Sequence, residues 1–213
     1  MRKLLTMALL LALRLLPASA QSEWKLRTEK DGIKIYAGDI ANSKVKAIKV
    51  ETVLNATTAQ VVAVVMDVNA STEWVYHVKQ SAIVKQVSPG ELYYYAEVSL
   101  PWPAANRDFV AHLTVSQNPD TKVVTIDGPA VPGLVPVKKG VVRIENSTGK
   151  WVLTPVAHDQ VKIEYTIHVD PVGALPSWLV NMFATEAPMQ IFKNMKLQLQ
   201  KPVYRNSFVA VVR

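Results

Sequence analysis

The sequence predicts an α+β domain in which a long, curved antiparallel β-sheet wraps around a C-terminal α-helix, with an internal hydrophobic cavity between them. Three observations carry this expectation. Much of the chain alternates apolar and polar residues, as in Ile33-Lys34-Ile35-Tyr36 and the run 45–50, which is the pattern of strands with one buried and one wet face. Near the end, apolar residues recur at helical spacing, at Leu175, Leu179, Met182, Phe183, Met189, Phe192 and Met195. Lastly, a bent sheet of this size cannot bury its own concave face, and one amphipathic helix covers it only in part. What remains is a hollow suited to an apolar ligand.

The elements follow in order. Trp24-Lys25-Leu26 and Ile33 to Tyr36 flank the turn pair Asp31-Gly32, and a third strand occupies 45–50. Asn55-Ala56-Thr57-Thr58 then offers capping side chains to an apolar run of helix length, 59–66. A second short helix or turn at 71–77 carries Trp74. Strand-like runs return at 82–87, 92–100, 109–116, 122–127, 141–145, 150–154 and 161–169. Pro89-Gly90, Asn118-Pro119-Asp120, Gly149 and His158-Asp159 mark the turns between several of them. Pro176-Ser177-Trp178 opens the last helix at a position proline tolerates. Pro188 falls inside that helix, which runs to about residue 200, and predicts a kink.

Residues 1–20 read as an export signal that is cleaved, which places the protein in the periplasm or outside the cell. Arg2 and Lys3 precede a mostly apolar stretch from Leu4 to Leu16, and Ala18-Ser19-Ala20 is a small-residue cleavage signature. Arg14 interrupts the apolar stretch, which is also short of the ~20 residues that span a bilayer. The 213 residues include no cysteine, so neither lipid attachment through cysteine nor a disulfide framework is available. The domain expected is 21–200, followed by a tail, 201–213, with an apolar run from Phe208.

The formal net charge is +7, of which Arg2, Lys3 and Arg14 belong to the signal. The remaining excess is small and spread along the chain, without the dense basic clusters of a nucleic-acid face. It leaves room for weak, transient contact with an anionic membrane surface. The four histidines, at 77, 112, 158 and 168, show no metal-ligand spacing. Neither a Gly-x-Ser-x-Gly elbow nor a glycine-rich phosphate loop occurs. No metal, cofactor or catalytic residue is therefore expected.

The stretch 100–110, LPWPAANRDFV, sets Trp102 between two prolines and then places Arg107-Asp108 at the head of a strand. It resembles the signature of the START family, the steroidogenic acute regulatory-related lipid transfer domains. Four further stretches resemble the family in the same order: Asp67 followed by Trp74, KKGVVR at 138–143, Trp151-x-x-x-Pro155, and DPVGALPSWLVN at 170–181. Together they span 24 to about 200. The resemblance implies a helix-grip fold, a curved antiparallel sheet gripping the C-terminal helix around a lipid-sized tunnel. It further implies structural roles for Trp102, Arg107 and Asp108, with the pair of charges tying the corner to neighbouring backbone and side chains.

Lining residues are expected to be Tyr95, Glu97, Leu113, Trp151, Tyr165, Leu179, Met182, Met189 and Phe192. Glu97 matches a buried acid that some family members pair with an arginine on the next strand, but Leu113 stands roughly where that arginine would be. Two readings stand for it, a contact with the polar end of a ligand or a solvent-facing side chain. Tyr165 shares the inward face of Val161, Ile163, Ile167 and Val169, either as core or as a polar atom in an apolar wall. The helix methionines are core, tunnel lining or both. The apolar, proline-rich loop 127–139 is expected to form a gate through Val131, Leu134 and Val135, with Trp178 at the start of the last helix.

The function this favours is non-enzymatic binding, and transfer, of one hydrophobic lipid, phospholipid or sterol-like. The alternatives are an enzyme of the same superfamily acting on a buried substrate (cyclase- or hydrolase-like), or a ligand-sensing module whose tail docks a protein partner.

Overall fold

The computed structural model describes residues 23–41, 43, 45–173, 175–205 and 207. The export signal and the apolar run from Phe208 lie outside the described residues.

Among the described residues ten strands form one sheet. β1 (Lys25–Lys30), β2 (Ile33–Gly38) and β3 (Ala47–Leu54) lead to α1 (Thr58–Met66) and α2 (Ser71–Trp74). Then come β4 (Val78–Ser88), β5 (Glu91–Val98), β6 (Arg107–Gln117), β7 (Val124–Pro129), the two-residue β8 (Val142–Arg143), β9 (Ser147–Ala157) and β10 (Gln160–Val169). The order across the sheet is β1-β2-β3-β10-β9-β7-β6-β5-β4, with antiparallel neighbours, while β8 runs parallel to the start of β6. The chain ends in α3 (Ser177–Asn181), α4 (Ala187–Gln198) and α5 (Pro202–Arg205).

α1 shows tertiary burial overriding local preference. Its capping box is complete: the Thr57 hydroxyl accepts from the Gln60 backbone N–H, and the Gln60 side chain accepts from that of Thr57. Yet four of its nine residues are valines, poor helix formers by up to ~0.7 kcal/mol each. Val61, Val62, Val64 and Val65 are all buried, and each gains ~1.5–3 kcal/mol from leaving water. Burial wins.

The C-terminal helix runs from Ser177 to Gln198 but passes through a π-helical turn at Met182–Glu186. Pro188 sits just beyond, at the start of the regular α4. Proline lacks an N–H and crowds the carbonyl four residues back. The expected distortion is therefore taken up as a wide turn ahead of it.

The helix lies on the concave face of the sheet. Phe192 and Met195 are fully buried there with Ile33, Ile35, Leu153 and Ile163. Tyr204, expected in the tail, is also buried, and its hydroxyl donates to Asp67 at 2.8 Å. The packed domain therefore continues through α5. At the open edges of the sheet, β4 departs from regular register three times, between Val78 and Gln80, Ile83 and Lys85, and Gln86 and Ser88. β1 does so once, between Leu26 and Thr28.

Candidate functional site

Strand parity decides which side chains see the concave interior. On β10 the inward residues are Val161, Ile163, Tyr165 and Ile167, and on β9 they are Trp151 and Leu153. Trp151 stacks on Tyr165 with ring centroids 4.1 Å apart and tilts against Phe192 at 5.7 Å. Leu113 is buried on β6 beside Gly128, where an added Cβ would meet its Cδ2 at 2.8 Å. Leu179 is buried at the start of the last helix, Met189 packs against the core, and Met182 is half-buried in the π turn. Six of the nine expected lining residues (Leu113, Trp151, Tyr165, Leu179, Met189 and Phe192) are thus brought to the interior or its helical roof.

Tyr95 and Glu97 are not. β5 sends Leu92 and Tyr94 into the core cluster, so its odd-numbered residues face outward. Tyr95 and Glu97 are buried on that convex side beneath the loop 130–141. The Glu97 carboxylate accepts from the Asn106 amide at 3.0 Å, Lys79 at 3.1 Å and Lys138 at 3.3 Å, with the Tyr95 hydroxyl at 3.4 Å. The Asn106 hydrogen bond, reinforced by the two ammonium groups, pulls Glu97 down to about 2 against the cost of burial. Its register partner on β6 is Asp108, while Leu113 sits opposite Leu92. The cations come instead from β4 and the loop, so Glu97 meets neither solvent nor a ligand in the hollow.

Tyr94 is the residue missed. Leu92, Ala96 and Val98 share its parity, and that apolar face was the available signal. Tyr94 meets Phe109 edge to face at 5.6 Å. Burial pushes its hydroxyl up to about 12. Burial raises Tyr165 further still, and Tyr94 adds to the effect. Both rings nonetheless keep part of their surface uncovered. A side chain surrounded by protein that still has open surface lines an internal hollow.

Arg107 and Asp108 do not pair with each other, because successive strand residues point to opposite faces. Arg107 donates to the carbonyls of Pro171 and Val172, at 3.1 and 3.2 Å. Asp108 takes the Arg143 guanidinium on two oxygens. Both therefore tie the corner to neighbouring segments. Trp102 has no such role. It is 90% exposed, preceding the cis peptide to Pro103. The corner is held by its backbone and by Asn106, whose Oδ1 accepts from the Leu100 N–H while its amide reaches Glu97.

Loops gather at this end of the sheet. A cleft of about 490 Å³ runs between Pro103–Ala105, Arg107, Val142 and Val172–Pro176. Leu134, Val137, Val172, Trp178 and Val180 are exposed apolar residues on the same loops and the start of the last helix. Val131 and Val135 are half-buried: the Val131 N–H donates to Val110, and the Val135 carbonyl accepts from Arg143.

Among the described residues no group of His, Asp and Glu has the arrangement of a metal site. A serine–histidine contact exists, Ser43 Oγ to His168 Nε2 at 3.0 Å. The same hydroxyl is engaged with the backbone of Val45 in a local turn, which is a structural use.

A curved antiparallel sheet closed by one C-terminal helix over a partly open, aromatic-lined interior defines the helix-grip class. Within it, the START domain profile matches residues 5–204, beginning inside the stretch read as an export signal. The chain belongs to the START domain family. An uncharacterized protein of Pseudomonas aeruginosa is 31% identical over 84% of this chain and 88% of its own. The crystal structure of a STAR-related lipid transfer protein fragment from Xanthomonas axonopodis superposes with a TM-score of 0.76 at 34% identity, covering 84% of this chain and 99% of that one. Human phosphatidylcholine transfer protein is 28% identical over 84% of this chain and 85% of its own.

Proposed function

We propose that this protein is a non-enzymatic, exported carrier that takes a single hydrophobic lipid between its sheet and C-terminal helix and transfers it between membranes. The observation that carries this is the concave wall itself: Leu113, Tyr94, Trp151 and Tyr165 under the roof of Phe192 and Met189, with the two tyrosines incompletely covered at depth. The names of the Xanthomonas and human relatives, both lipid transfer proteins, support the same reading. Burying a lipid chain there gains ~25 cal/mol per Å² of apolar surface, so affinity follows chain area. Exchange proceeds through the loop end, where Val131, Leu134, Val135 and Trp178 act as the gate and the exposed apolar tips touch the bilayer.

Native mass spectrometry of the mature protein, followed by identification of whatever lipid is released, tests this reading. One lipid per chain is the expected result. An empty protein that takes no lipid from vesicles sinks carriage. The same spectrum tests export, since a mass beginning at Gln21 is expected from protein recovered outside the cytoplasm.

A further inference from the structure

The concave interior is mostly apolar, and among the described residues two phenols lie against it. Tyr94 on β5 and Tyr165 on β10 lie four strand spacings apart, about 19 Å on a flat sheet. Both nevertheless pack against the same core cluster, and Tyr94 adds to the upward shift of Tyr165, so the sheet curls enough to bring them to the same hollow. Neither hydroxyl has a hydrogen-bond partner among the described residues, and neither is sealed from the open space. Buried polar groups are normally paired, so two unpaired donors facing one hollow are unusual.

The wall beside Tyr165 is pared to backbone. Gly128 and Gly149 face each other in register on β7 and β9. A Cβ at Gly149 would come to 3.9 Å from the Tyr165 hydroxyl, an ordinary contact occupying space that is now vacant. Among the described residues no lysine or arginine is fully buried. The charged residues that are buried, Glu97 and Asp108, lie on the convex face. Arg107 and Arg143 are committed to backbone carbonyls and to Asp108.

We infer that Tyr94 and Tyr165 form a polar subsite in the middle of the hollow, which selects an uncharged lipid by donating hydrogen bonds to one of its oxygens, an ester carbonyl or a hydroxyl. The inference rests on the carrier reading and names the ligand class for it. A phosphate carried into the same space would lose its hydration without gaining a counter-charge. A carbonyl or hydroxyl oxygen there satisfies donors that the free protein leaves unpaired.

The test uses four fluorescent probes on the full mature chain: a labelled diacylglycerol, dehydroergosterol, a labelled phosphatidylcholine, and a pyrene-labelled alkane with no acceptor oxygen. Diacylglycerol or dehydroergosterol is expected to bind at least tenfold more tightly than phosphatidylcholine. Whichever of the two binds better tells an ester carbonyl from a ring hydroxyl. In the Tyr94→Phe, Tyr165→Phe double variant, affinity for that probe falls about tenfold, while the alkane binds as before. The melting temperature of the variant stays level or rises, since no intramolecular bond is lost; a structural role for the hydroxyls would lower it. Phosphatidylcholine bound as tightly as the neutral probes, or a double variant with unchanged affinity for all of them, overturns this inference and leaves carriage standing. Uptake of none of the four probes removes the carrier reading and the inference with it.

Discussion

Arg143 grips Asp108 through a forked contact, Nε to Oδ1 at 2.7 Å and Nη2 to Oδ2 at 3.1 Å, with side chains only 7% and 1% exposed. The same guanidinium also donates to the carbonyls of Val135 and Pro136, so one side chain holds β8 to β6 and the gate loop to both. Arg143→Ala leaves a buried carboxylate without its partner, which costs about 3–5 kcal/mol. Arg143→Lys keeps the charge but cannot satisfy four acceptors from one fork, and should fall between the two. Urea denaturation midpoints check the order wild type, Lys, Ala; equal midpoints would remove the clamp.

Glu97 makes the fold acid-sensitive. Its folded value, about 2, lies below the ordinary carboxylate value of about 4.3. A depressed group contributes stability that is complete above its unfolded value and lost as pH falls through the folded one. Stability should therefore decline between about pH 5 and pH 2. In Glu97→Gln the absolute stability drops by about 1–3 kcal/mol at neutral pH, and the acid slope becomes shallower. Denaturation midpoints measured at several pH values give both quantities, and parallel slopes would assign the titration to another group.

Contact with the bilayer predicts an effect on rate without one on stability. Leu134 is 51% exposed and Trp102 is 90% exposed, so Leu134→Asp and Trp102→Ser should each leave stability within about 0.5 kcal/mol. Vesicle-to-vesicle transfer should slow several-fold in both, and most in the pair. If transfer is untouched in the double variant, these loops do not meet the membrane.

The last turn can be weighed in the same way. Tyr204→Phe loses the 2.8 Å bond to the Asp67 carboxylate, worth about 1.5–3 kcal/mol for a charged acceptor. At roughly 2–4 °C per kcal/mol for a chain of this length, calorimetry should resolve the drop. Ending the chain after Gln200 removes the buried ring as well and should cost more.

The curved sheet, the capped helix and the long C-terminal helix were all legible, because burial imposes its period on sequence. β10 was read to the correct face through its unbroken row Val161, Ile163, Tyr165, Ile167. β5 was not, because Tyr93, Tyr94 and Tyr95 satisfy either face, and Glu97 drew attention to the wrong one. What sequence spacing could not supply was the long-range partnership that makes a buried acid affordable on the convex side: Lys79, Asn106 and Lys138 lie between 9 and 41 residues away. Trp102 misled for a different reason. A tryptophan between prolines suggests packing, yet here its ring stands in solvent.

The broken register of β4 and β1 bears on colloidal behaviour. A long sheet ending in straight strands offers rows of free amide groups on which another chain can template itself. Here each bulge interrupts that row and twists the rim, and Lys79 and Lys85 set charge along β4 beside the exposed Ile83, Val84 and Val87. The rim is thereby poorly matched to a second copy of itself, and a variant with the bulges removed is expected to seed fibres more readily than the native edge.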